Sequence, residues 1–234
     1  MKATEILSRH RQTFHRIVDF DPARDKLLAM DFTATNHDLT ADVIENTDRF
    51  TKYIRSKLDS SGCRFGFGGY AEHRTVYSRS GVFDADQLSE EPRRLHLGVD
   101  IWGSAHEPVF APLQGKVHSF AFNDHYGDYG ATLILEHELD GFHFHSLYGH
   151  ISKNDINNIK EGELIQAGQE IAHFGLPHEN GHWPPHLHVQ LIIDMENNKG
   201  DYIGVCRFSE REKYLANCPD PDLIIGMGGL KFKV

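Results

Sequence analysis

The chain has 234 residues, 39% of them hydrophobic and 25% charged, with a formal net charge of −10. That length can bury one large core, or one core plus a small subdomain. The acidic balance argues against nucleic acid or an anionic membrane as the main partner, since both demand a basic face.

Residues 1 to 10 hold no apolar run of signal-peptide length, and no later segment approaches the roughly 18 apolar residues of a membrane span. A cytoplasmic protein is therefore expected. Residues 4 to 18 place Ile6, Leu7, Phe14, Ile17 and Val18 at helical spacing, which predicts one amphipathic helix. Asp21-Pro22 and then Ala29 to Thr33 read as a turn and a short strand. Thr40 is placed to cap a second helix with Val43, Ile44, Phe50, Tyr53, Ile54 and Leu58 on its apolar side, ended by Ser60-Ser61-Gly62. Residues 1–62 thus form a helical segment packed on a main domain of residues 63–234, with no chemistry of their own.

From Cys63 the chain becomes aromatic and glycine-punctuated, as in a strand-rich region. Glu72-His73-Arg74 reads first as a solvated face or a structural ion pair, and second as a cleft wall or a group that blocks a site. Pro108 to Val117 has the spacing of a hairpin, and residues 131–137 and 142–148 form a pair joined by Leu139-Asp140-Gly141. Residues 162–172 give a turn and strand, and His186 to Ile193 the last clear strand. The tail from Gly204 reads as irregular. Short strands at this spacing predict an antiparallel sandwich or open barrel. Cys63, Cys206 and Cys218 are too few and too widely spaced for a disulfide framework or a cysteine zinc site, so reduced structural thiols are expected.

Seventeen histidines are the outlier, thirteen of them between His96 and His188. In a strand, alternate residues share a face, so His186 and His188 point the same way. His96 and Asp100 add an imidazole and a carboxylate, the three-ligand set of a catalytic zinc site with a water in the fourth place. In one flat strand their Cα atoms would lie ~13 Å apart, and Gly98 between them is where the backbone can bend. His143-x-His145 competes for the metal. An unbroken strand into Tyr148 would turn both histidines away from His150, which argues against them. His178 and His182 are expected to line a groove or lie in solvent.

His96-x-x-x-Asp100, Tyr148-Gly149-His150 and His186-x-His188 resemble, in order and spacing, the motifs of the lysostaphin-type zinc metallopeptidases. Members of that family mostly cut peptide bonds in bacterial cell-wall peptidoglycan. The resemblance implies a mainly β fold with a twisted antiparallel sheet and one Zn²⁺ per chain in a groove on its face. It implies His96, Asp100 and His188 as metal ligands and His150 and His186 as unligated catalytic histidines. The substrate would be a peptidoglycan peptide or another peptide. Residues 68–74, 96–102 and 180–186 also look like a peptidase-like module of some bacterial fusion proteins, set between a kinase-like phosphotransferase and an aminotransferase; that context implies a cytoplasmic substrate.

Two other classes compete. A two-histidine, one-carboxylate set also suits a non-haem iron oxygenase, but those sites usually space the first pair as His-x-Asp/Glu. A non-catalytic binder on the same fold would be expected to have lost ligands, whereas all five site residues stand here.

Overall fold

The computed structural model describes residues 3–84 and 90–228, so the end of the tail, beyond Gly228, falls outside them. Eight strands form one sheet: β1 (Leu27–Met30), β2 (Phe65–Gly68), β3 (Val99–Trp102), β4 (Gly115–Asn123), β5 (Gly130–Leu139), β6 (Phe142–Ile151), β7 (Leu164–Ile165) and β8 (His186–Ile192). Their spatial order is β1-β2-β3-β8-β6-β5-β4-β7. Every pairing is antiparallel except β1 with β2. The mainly β, antiparallel expectation therefore holds, with one parallel edge added by the N-terminal segment.

That segment is more than a helical attachment. Parallel strands need a long crossover, and the helix Thr47–Ser61 supplies it between β1 and β2. The single helix expected from Thr40 is two: Ala41–Ile44, then Thr47–Ser61 after a break. Asn46, not Thr40, is the side-chain cap, accepting from the Arg49 amide at 3.0 Å. Asn46→Ala is expected to cost about 1 kcal/mol, lowering the melting temperature by roughly 2–4 °C in a calorimetric scan. The first helix also stops early, at His10. Ile17 and Val18 are buried from a bend instead, because burial of an apolar side chain does not require helical backbone.

Alternation along the central strands sorts the sheet into two faces. Phe65, Phe67, Val99, Ile101, Leu187 and Val189 enter one large core with Tyr148. The opposite face carries Asp100, Trp102, His186 and His188, set between two smaller apolar clusters, one around Phe50 and Trp183 and the other around Leu147 and Ile192. The β5–β6 hairpin turns through Asp140 and Gly141, both at positive φ, as a tight two-residue turn requires. The hairpin expected over 108–117 does not form: Pro108–Phe110 pairs with Glu170–His173, and β4 pairs with β5. The tail is not wholly irregular either, since it holds the helices Arg211–Asn217 and Asp222–Ile225 and a strand, Val205–Cys206, paired to Leu95–His96. All three cysteines are free and buried. Among the described residues, no helix is long and apolar enough to cross a membrane.

Candidate active site

The site is built on one strand register. β3 and β8 place Asp100 opposite His188 and Trp102 opposite His186, and side chains opposite each other on one face are direct neighbours. His96 comes from outside the sheet, in the short strand Leu95–His96. The chain bends between them at Gly98, where a Cβ would run into the His188 ring and the Val189 carbonyl. Glycine there lets His96 fold back over Asp100.

Second-layer hydrogen bonds fix which nitrogen faces the centre. His96 donates from Nδ1 to the Gly69 carbonyl at 3.1 Å, and His188 donates from Nε2 to Gln190 Oε1 at 3.1 Å. The remaining lone pairs converge. His96 Nε2 lies 3.0 Å from His188 Nδ1, and Asp100 Oδ1 lies 3.1 Å from His188 Nδ1 and 3.3 Å from His96 Nε2. Three acceptors at that separation repel unless a cation or a proton lies among them. Two neutral imidazoles and a carboxylate make the donor set of a catalytic zinc ion, and these residues fit it.

Arg74 completes the centre. It is 1% exposed and forks between Glu72 Oε2, at 2.6 Å from Nε, and Asp100 Oδ2, which Nη1 contacts. One carboxylate oxygen of Asp100 is thereby held by Arg74 and the other is left for the histidines. Burial alone would raise the Asp100 carboxyl, but His96, Arg74 and the hydrogen bond with His188 hold it well below the usual carboxylate range. Room for the guanidinium comes from Gly68, whose added Cβ would sit 2.8 Å from Arg74 Nη2. The solvated-face reading of Glu72-His73-Arg74 is thus wrong for Arg74, which is an ion-pair partner of a candidate ligand.

His150 and His186 lie beside this set with ring centroids 4.1 Å apart. His186 stacks on Trp102 at 4.1 Å and donates from Nδ1 to the Pro184 carbonyl at 2.8 Å. His150 donates from Nδ1 to the Asn180 carbonyl at 2.9 Å. In both rings Nε2 is left as the titrating atom. Burial pushes the imidazoles of His96 and His186 down to about 4, helped at His96 by Arg74. Burial, then His186 and His188, hold His150 well below its ordinary value. All three are neutral at pH 7, the form that ligates metal or accepts a proton.

The five singled-out residues are therefore brought to one place, but the argument against His143 and His145 needs a different reason. β6 is not unbroken: Tyr148 faces Leu133 while Ile151 faces Ala131, so one extra residue is inserted. His150 takes it up at φ 62°, which turns its ring onto the face of His188. His145 shares that face, but it lies opposite Ile192, about 13 Å along β8 from His188 by strand rise. His178 and His182 are exposed, and Tyr148 packs in the core on the other face.

Two contributors were not singled out from the sequence, and Arg74, read there as an ion pair or cleft wall, was not tied to Asp100. Gln190 carries the same-face signal, two residues after His188. Tyr129, whose hydroxyl lies 3.4 Å from both His188 Nε2 and Gln190 Oε1, carries none, because only the fold brings it near.

The family model for peptidase family M23 matches residues 94–202. Among solved structures, the chain is similar to a zinc-containing peptidase from Vibrio cholerae (25% identity, TM-score 0.35), with 47% of this chain and 30% of that one covered. It is also similar to the catalytic domain of lysostaphin from Staphylococcus simulans, at 26% identity and TM-score 0.36, covering 52% of this chain and 80% of that one. The solution structure of lysostaphin matches at 26% identity and TM-score 0.37, covering 60% and 49%. The chain thus spans less than a third of the Vibrio peptidase. No curated protein matches significantly. Residues 94–202, just under half of the chain, thus match peptidase family M23.

Proposed function

We propose that the protein is a zinc-dependent hydrolase of a peptide amide, with a peptidoglycan-derived or related peptide as substrate. The observation that supports this most is the convergence of His96 Nε2, Asp100 Oδ1 and His188 Nδ1 within 3.3 Å, next to two unligated neutral histidines. His96, Asp100 and His188 would hold one Zn²⁺. When bound, zinc supplies an acidified water and polarises the scissile carbonyl.

The chain's own residues do the rest. His150 and His186 are each anchored through Nδ1 on a backbone carbonyl, so each moves a proton only at Nε2. One takes the proton of the attacking water, and the other steadies the developing oxyanion or protonates the leaving amine. Trp102 fixes the plane of His186 by stacking, and the buried walls exclude bulk water, which strengthens each of these interactions.

The test is a digest of peptidoglycan stem peptides and synthetic peptides with zinc-loaded protein, with and without a chelator, read by mass spectrometry. Chelator-sensitive products that return on adding zinc are expected. His150→Ala and His186→Ala are each expected to lower kcat by about 10²–10⁴-fold while zinc content, measured by atomic spectrometry, stays near one per chain. Unchanged turnover in both variants would remove the two histidines from the mechanism.

A further inference from the structure

Residues 69–74 lie outside 94–202, the stretch matched by the peptidase family, yet they touch two of the three candidate ligands. Their backbone runs beside the strand that carries His96. The Ala71 amide donates to the His96 carbonyl and the His96 amide to the Glu72 carbonyl, both at 3.0 Å. The Arg74 amide donates to the Arg94 carbonyl at 2.9 Å, and the Gly69 carbonyl accepts from His96 Nδ1. The same segment sends the Arg74 side chain across to Asp100. It therefore orients both the ring of the first candidate ligand and the carboxylate of the second.

Arg74 has little freedom to release Asp100. Its Nε is held by Glu72 Oε2 at 2.6 Å, its Nη1 also donates to Tyr77 Oη at 3.3 Å, and its guanidinium lies 5.1 Å over the Phe32 ring. Glu72 is pinned in turn, because its Oε1 accepts from the Phe32 amide at 3.3 Å. The two side chains are 2% and 14% exposed, so water competes poorly for these charge-assisted contacts. A carboxylate can offer a metal one oxygen or both. Here Oδ2 of Asp100 faces the guanidinium, and Oδ1 is the oxygen that faces His96 and His188.

We infer that Glu72 and Arg74 are positioning residues that set the choice of metal: they confine Asp100 to a single oxygen and so favour four-coordinate zinc over cations that need more oxygen donors. Zinc is satisfied by a tetrahedral set of nitrogen and oxygen donors, whereas manganese suits octahedral sites rich in carboxylate, carbonyl and water. The guanidinium also repels any divalent ion nearby, but the second carboxylate oxygen it withholds is lost chiefly to the oxygen-seeking ones. This rests on the zinc reading above and adds to it the source of metal selectivity.

The test uses the metal-free full chain as wild type, Arg74→Met and Glu72→Gln. Each is titrated with Zn²⁺ and, separately, Mn²⁺ in competition with a chromophoric chelator, and the visible absorption of the Co²⁺-loaded form is recorded. The wild type is expected to bind one zinc per chain and to show the intense visible bands of four-coordinate cobalt. In Arg74→Met the ratio of manganese to zinc dissociation constants is expected to fall by about 10–100-fold, the range over which partners behind the ligands act. Its cobalt bands should lose most of their intensity as Asp100 turns both oxygens to the ion. Glu72→Gln, which keeps the guanidinium but loosens its hold, should move both readouts the same way by less. A merely structural Arg74 would leave the ratio and the cobalt spectrum at their wild-type values. That result in both variants, or weak cobalt bands in the wild type, would overturn the inference and leave the zinc reading standing. Wild-type protein that binds no zinc would overturn the zinc reading, and this inference with it.

Discussion

Saturating zinc is expected to raise the melting temperature of the wild-type protein by roughly 10 °C, and His188→Ala is expected to abolish that rise. A ligand at a thousand times its dissociation constant stabilises the native state by about 4 kcal/mol. At about 2–4 °C per kcal/mol for a chain of this size, that gives a shift of about 8–16 °C. His188 has the largest share because it links the other two ligands, at 3.0 Å from His96 Nε2 and 3.1 Å from Asp100 Oδ1. Its removal also frees Gln190 and Tyr129, whose contacts orient its ring. Hydrolysis should fall by more than the ~10–100-fold typical of changes behind the first layer of ligands. His143→Ala is the control: that side chain is 61% exposed beside Glu138, so the zinc shift should persist. A zinc-dependent shift surviving in His188→Ala would mean that the ion is held elsewhere.

Arg74→Met is expected to lower the melting temperature of the metal-free protein by about 10 °C, from a loss of about 3–5 kcal/mol at about 2–4 °C per kcal/mol. The cause is the charge left behind, since Asp100 is 2% exposed and loses the cation that holds its second oxygen. Methionine keeps most of the apolar stem, so the loss reports charge more than packing. Zinc should return part of the stability, because it gives Asp100 another cation. The zinc-induced shift should accordingly be larger in Arg74→Met than in the wild type. Arg74→Lys is expected to fail as a rescue: a single ammonium cannot reproduce a fork whose Nε binds Glu72 and whose Nη1 binds Asp100. A zinc shift in Arg74→Met no larger than the wild-type value would show that Asp100 is not the charge Arg74 compensates.

The shared face of His186 and His188 was legible from local pattern, while the division into candidate ligands (His96, Asp100, His188) and unligated histidines (His150, His186) came from the motif resemblance. His186 and His188 share a face because strand side chains alternate, and that period needs no tertiary information. The bend at Gly98 was equally local. The strand-rich character of residues 63–192 and the Asp140-Gly141 turn were likewise readable, since positive φ at both turn positions is a property of the turn itself.

Two local readings failed where tertiary packing overrode spacing. Ile17 and Val18 sit at helical spacing but are buried from a bend, because the core takes apolar side chains from any conformation that reaches it. His150 reaches the site only because β6 carries an extra residue, a register shift that depends on its partner strands and leaves no mark in its own sequence.

What the sequence determined by itself is the identity of the groups that can bind a metal and move a proton, because that chemistry belongs to residue types at short spacing. What only the tertiary structure decided is their surroundings. Arg74 reaches Asp100 from 26 residues away, Tyr129 reaches His188 from 59, and Arg79 reaches the His182 carbonyl from 103. Contacts across such separations come from strand order and burial of the whole chain, which no local period encodes.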